Sequence, residues 1–102
     1  MLQPTNLFFD QVGALSSGST IDFDDTRVVS YTVTAGKKAV LLQIVNGSEC
    51  WFGGFTVSPT DYIGNIMTPR MLLIFRNVKS TFKVYFRGAT GKSGKVGINE
   101  FD

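Results

Sequence analysis

The chain is predicted to be all-β, a single antiparallel β-sandwich of jelly-roll or immunoglobulin-like type over residues 21–102, preceded by an extended N-terminal arm over residues 1–20. Three observations predict it. No stretch of helix-forming length carries apolar residues at helical spacing. Short runs instead alternate apolar with polar side chains and are broken by Gly, Ser, Asn and Pro, the pattern of half-buried strands joined by turns. At 102 residues the chain has the size of one core, with no internal repeat or second domain apparent.

Within the arm, Leu7-Phe8-Phe9 reads as a short strand, and Gly13 to Thr20 is small and polar. Ile21 to Phe23 is the next short strand. Val29, Tyr31 and Val33 then alternate with Ser30, Thr32 and Thr34, so one face of that strand is expected to be buried. Ala35-Gly36-Lys37-Lys38 turns the chain into a strand over Val40–Val45. Asn46-Gly47 follows, and both residues tolerate the positive φ that a two-residue hairpin turn demands. Folding about this turn sets Val45 opposite Ser48 and Leu42 opposite Trp51. The next strand, Cys50 to Phe55, is interrupted by Gly53-Gly54, as at a bulge or where another backbone comes close.

The last third suggests an antiparallel meander. Folding Met71–Arg76 onto Thr81–Arg87 aligns Phe75 with Phe82, Leu73 with Val84 and Met71 with Phe86. Folding onward about Gly88–Gly94 aligns Phe86 with Val96 and Val84 with Ile98. The large apolar side chains then share one face, while Lys83, Tyr85, Arg87, Lys95 and Asn99 take the other. The strands at 28–34, 40–45 and 50–57 are expected to supply the covering sheet, for seven or eight strands in all.

Composition narrows the chemistry. Cys50 is the only cysteine, so no disulfide can form within the chain, and with no histidine there is no soft-ligand metal cluster. A domain this small buries a modest share of its surface, and association with other subunits is the expected further source of stability. The apolar runs are too short to cross a bilayer as a helix. Met1-Leu2-Gln3-Pro4 lacks the basic and apolar segments of a secretory signal, so synthesis in the cytoplasm is expected. Net charge is +2, yet residues 1–61 hold six acidic and three basic side chains, and residues 62–102 two acidic and seven basic. Such asymmetry fits a nucleic-acid face, complementary ends of an assembling protein, or ordinary solvated loops.

Motifs with chemical overtones have plainer readings. Gly88-Ala-Thr-Gly91-Lys92-Ser93-Gly94 lacks the first glycine of a phosphate loop, Phe86 standing in its place, and leads into a strand where a helix is needed. Asp22-Phe23-Asp24-Asp25 offers three carboxylates but no glycine-containing calcium loop, so it reads as an acidic turn. Asn46-Gly47-Ser48 matches a glycosylation sequon, and the hairpin turn accounts for it. General acid–base catalysis would require paired carboxylates or a histidine, and Cys50 lies in an apolar strand where a thiol is inert. No catalytic, cofactor-binding or metal-binding residue is therefore assigned. Phe75, Phe82 and Phe86 are expected in the core; Trp51, Phe52, Phe55 and Tyr62 cluster around Gly53-Gly54, where burial of most of them is the first reading and exposure for stacking or interface contact the alternative.

The segment Lys37 to Phe101 resembles the small β-sandwich virion proteins of tailed bacteriophages. The shared shape is Leu42-Gln-Ile-Val-Asn46-Gly47-Ser48, then Trp51-Phe52-Gly53-Gly54, Ile66-Met-Thr-Pro69, and a strand ending Phe75-Arg-Asn77. The pair Phe82-Lys-Val-Tyr-Phe-Arg87 and Val96-Gly-Ile-Asn-Glu-Phe101 completes it. The resemblance implies a non-enzymatic structural protein, foremost a capsid decoration (cement) protein, made in the host cytoplasm and located in the virion. It would be present as a homo-oligomer or in many copies, bound to other virion proteins such as the major capsid protein, without cofactor or membrane. Nucleic acid is not the expected partner. The alternatives are a tail or head–tail connector component, and a carbohydrate- or single-stranded nucleic-acid-binding module. The interface candidates are the apolar anchors Phe8, Phe9, Trp51, Phe55 and Tyr62 and the basic residues Arg70, Arg76, Lys79 and Arg87.

Overall fold

The structure, a computed structural model, describes residues 15–54 and 64–102. These residues form eight strands and no helix. In order they are β1 (Leu15–Phe23), β2 (Val29–Val33), β3 (Ala39–Gly47), β4 (Cys50–Gly53), β5 (Asn65–Met67), β6 (Leu73–Arg76), β7 (Phe82–Gly88) and β8 (Gly94–Phe101). They make two antiparallel four-stranded sheets, sheet I in the order β1-β8-β3-β6 and sheet II in the order β2-β7-β4-β5. The chain is thus all-β and sandwich-like. Among the described strands, β4 and β5 are the one consecutive pair that shares a sheet.

That interleaving overturns the meander. β6 pairs with β3, with Leu42 opposite Leu73, while β7 lies in the other sheet between β2 and β4. β8 pairs with β1 and β3, setting Ile98 opposite both Ser19 and Leu42. Residues aligned on one ladder by the sequence pattern instead face each other across the gap between sheets. Val84 and Phe86 of sheet II and Val96 and Ile98 of sheet I belong to one buried cluster. The rings of Phe75 and Phe82 do meet, but edge to face between sheets, with centroids 5.0 Å apart. The physical reason is that burial needs only an apolar neighbour, and the facing sheet provides one as well as an adjacent strand does.

The Asn46-Gly47 hairpin is likewise replaced. Both residues belong to β3, where Asn46 pairs with Lys95 and Gly47 with Gly94 beyond an irregularity after Ile44. Gly47 does adopt positive φ, 93°, but it releases the chain from sheet I toward β4 in sheet II. Val45 therefore has no Ser48 opposite it, nor Leu42 a Trp51. Within residues 15–20, assigned to the arm, Leu15 and Ser17 to Thr20 pair with β8 as residues of β1, with an irregularity between Leu15 and Ser17. The rest of the arm lies outside the described residues.

Val40, Leu42 and Ile44 of β3 and Phe23, Val33, Cys50 and Met67 complete the core around Phe86. Each such side chain contributes roughly 1.5–3 kcal/mol by leaving water. Phe86 is fully buried, as expected, and Phe75 is half-buried, but Phe82 is 37 % exposed because it begins β7 at the rim of the sandwich. A polar link also joins the sheets: the Tyr31 hydroxyl on β2 donates to Glu100 on β8, whose other oxygen accepts from Ser17 Oγ at 2.7 Å. On the outer face of sheet I, Ala39 and Phe101 form a second small buried cluster with Leu41.

Candidate interaction surface

The described interface candidates separate into two groups. Trp51 and Arg87 are direct partners across β4 and β7, and Ile66 of β5 sits opposite Trp51 on its other side. Their neighbours along the chain, Cys50, Phe86 and Met67, point into the core, so this row occupies the outer face of sheet II. Lys83 and Tyr85 share that face by the alternation of β7. Arg87 is held there by a fork: its Nε and Nη2 donate to the Asp25 carbonyl oxygen at 3.1 and 3.0 Å. A guanidinium fixed in this way loses less side-chain freedom when a partner arrives.

The second group stands beside β6. Arg70 is in the connection before it, Arg76 is its last residue, and Lys79 follows in the turn to β7. These do not join Trp51 and Arg87 in one patch. Phe8, Phe9, Phe55 and Tyr62 lie outside the described residues.

Each carboxylate of the acidic turn has a local role. Asp22 meets Lys95 at 3.1 Å across β1 and β8. Asp24 accepts from the Thr26 backbone N–H and hydroxyl at 2.9 and 2.7 Å, and these bonds hold its carboxyl below the usual range. Asp25 accepts from the Gly91 N–H at 2.7 Å, tying the turn to the loop before β8. The acidic turn is thereby joined to Lys95 and to the loop before β8, while Arg70, Arg76 and Lys79 stand around β6 at the other edge of sheet I. Among the described residues, no three His, Cys, Asp or Glu side chains are grouped to hold a metal ion. Cys50 is fully buried, and desolvation pushes its thiol up to about 12, far from the thiolate that nucleophilic chemistry requires.

At least two clefts indent the described surface. A broad one of about 420 Å³ lies at one end of sheet I, lined by Asp22, Phe23, Asp24, Asn46, Ser93 and Lys95, and is open to solvent. A smaller one, about 200 Å³, opens between the sheets where Phe52, Leu73, Phe75 and Phe82 converge, with Asn65 and Lys83 at its margin. Sequence reading placed Phe75 and Phe82 in the core and so missed this cleft. The signal available was the run Met71-Leu-Leu-Ile-Phe75, which is apolar at consecutive positions and so richer than one buried face of a strand can use.

No family model, curated protein or solved structure matches this chain.

Proposed function

We propose that the domain is a jelly-roll β-sandwich that acts without catalysis as a structural protein of a virion, decorating a capsid by clamping neighbouring major-capsid subunits. The observation that carries the reading is the pairing β1 with β8, β2 with β7, β3 with β6 and β4 with β5. A ribbon doubled back on itself and rolled into two sheets produces this pairing, and the architecture recurs in capsid and lectin domains. The resemblance of residues 37–101 to small virion proteins points the same way. Binding energy would be the whole mechanism. Exposed apolar side chains at the rim are buried against the capsid, basic side chains steer the approach, and the bound form is stabilised by mass action.

The test is the number of copies in purified particles, measured by quantitative mass spectrometry, together with the heat resistance of capsids with and without the chain. Copies comparable in number to the major capsid protein, and earlier disruption of capsids that lack it, are expected. A few copies confined to a tail or connector, or absence from particles, overturns the assignment.

A second reading draws on the outer face of sheet II, where Trp51, Tyr85 and Arg87 are neighbours. Aromatic and guanidinium planes on a sheet face suit stacking on sugar rings or unpaired bases. Trp51 fluorescence titrated with glycans and oligonucleotides separates the two readings, since the capsid-binding function predicts no response.

A further inference from the structure

Among the described residues, most of the exposed large apolar residues belong to one side of the sandwich, with Ile66 on the outer face of sheet II and Ile74 on that of sheet I. Ile66 is on β5, Met71 and Leu72 are in the connection to β6, Ile74 is on β6, and Phe82 begins β7. Leu72 is 47 % exposed and Ile66 42 %. This is the side where both sheets end, with β6 the last described strand of sheet I and β5 of sheet II. The aromatic cleft opens between these two edges. Soluble proteins usually blunt such an edge with a lysine, a proline or a bulge. Leu73, Ile74 and Phe75 of β6 carry none of these.

Among the described residues, the charged side chains on β6, in the turns that flank it and at the cleft are basic. Lys83 is the one charged residue lining the cleft among those described, and Arg70, Arg76 and Lys79 bracket β6. The acidic residues Asp22, Asp24 and Asp25 belong to the opposite edge, at the end of β1 and just after it. An apolar edge and an apolar cleft inside a basic rim select for an extended segment that is apolar at its centre and acidic at its flanks.

We propose that this side is a docking surface for an acidic, extended segment of a partner protein, which adds as a strand to β6 and lodges one large apolar side chain between Phe52, Phe75 and Phe82. Strand addition supplies main-chain hydrogen bonds, and the cleft supplies the side-chain selection. The inference rests on the domain working through protein contacts, though not on its place in a particle.

The experiment is an NMR titration of the full chain with short capped peptides that alternate Glu with Val around a central Phe. Controls are the same peptide with Lys for Glu, and the Glu peptide N-methylated at alternate amides. The Glu peptide is expected to shift the amides of Leu73–Arg76 and Phe82, to bind more weakly as salt rises, and to bind roughly tenfold more weakly to the Ile74→Glu variant. N-methylation should abolish binding. Reversing Arg70→Glu and Lys79→Glu together, both at exposed positions, should transfer the preference to the Lys peptide. Equal binding of Lys and Glu peptides, undiminished binding after N-methylation, shifts centred on Trp51 and Arg87, or no binding by the Glu peptide overturns the proposal. So does a native mass showing that the chain pairs with itself through β6. If particles contain many copies of a chain that fails these titrations, the docking surface is wrong and the capsid function stands. If the titrations succeed and particles contain no copies, the docking surface stands and the capsid function is wrong.

Discussion

Replacing Gly47 by alanine should cost far more than replacing Gly36, although both residues have nearly the same backbone. Gly47 has φ of 93° and Gly36 of 97°, a region in which an L side chain is strained. That shared strain amounts to about 1–2 kcal/mol, which is the whole expected cost at Gly36, because nothing lies within 4 Å of a Cβ built there. At Gly47 the new Cβ would fall 2.2 Å from the Ser93 carbonyl oxygen and 2.5 Å from Gly94 Cα. Both are backbone atoms, so β3 and β8 must separate at this end, and the pairs Asn46 with Lys95 and Gly47 with Gly94 are lost. A cost of about 3 kcal/mol or more follows. Gly54→Ala is the control, since that site is open and has no positive φ, and it should lie within about 0.5 kcal/mol of the parent. Urea unfolding with unchanged m-values gives the comparison, and thermal midpoints should fall by roughly 4–8 °C per kcal/mol. Equal costs at Gly47 and Gly36 would refute the reasoning, because they would put Gly47 at the open tip of a hairpin and away from β8.

Cys50 should resist thiol reagents at pH 8 in the native state and react fully in denaturant; rapid stoichiometric labelling of the folded protein would contradict its burial. Hydroxyls of Tyr31 and Ser17 hold the Glu100 carboxyl below its ordinary value of 4.5, so the link between sheets is fully stabilising above that pH and is lost as pH falls through the lower folded value. Tyr31→Phe should therefore lower stability by about 1 kcal/mol near neutrality, with the gap to the parent closing in acid; a gap independent of pH would show that the bond contributes nothing. Leu42→Ala, at a fully buried position of β3, should cost about 2–5 kcal/mol and Ile98→Val about 0.5–1.5, and a Leu42→Ala variant as stable as the parent would place Leu42 outside the core.

Which residues of a strand point inward was legible from local pattern. Val29, Tyr31 and Val33, like Val84 with Phe86 and Val96 with Ile98, pack on or within the core, whereas Lys83, Lys95 and Asn99 are exposed. Alternation depends only on the pleat of one strand. Pairing depends on partners remote in the chain, and matching apolar positions are satisfied as well by facing across the sandwich as by lying on one ladder. Val84 and Ile98 illustrate this, sharing a core while belonging to different sheets. Asn46-Gly47 carried true information about positive φ at Gly47, but the same backbone serves a hairpin tip or a strand end. Leu15 to Thr20 hid a strand because, apart from its first residue, this run has only small or polar side chains and draws its stability from the β8 ladder. At the candidate site, Trp51 and Arg87 are each named as interface residues by the sequence, but their pairing is not, because it joins strands remote in the chain. Nor is the grouping of Ile66, Leu72 and Ile74, since it exists only when β5 and β6 end their sheets on the same side.

Strand order is therefore the claim on which the cleft, the exposed edge and the rolled architecture all depend, and backbone NOEs in the isotope-labelled protein test it most directly. Cross-strand contacts of Leu42 with both Ile98 and Leu73, and of Val84 with Tyr31, are expected. Ladder contacts joining Leu73 to Val84 and Val84 to Ile98 would contradict the interleaved order and remove the docking edge with it.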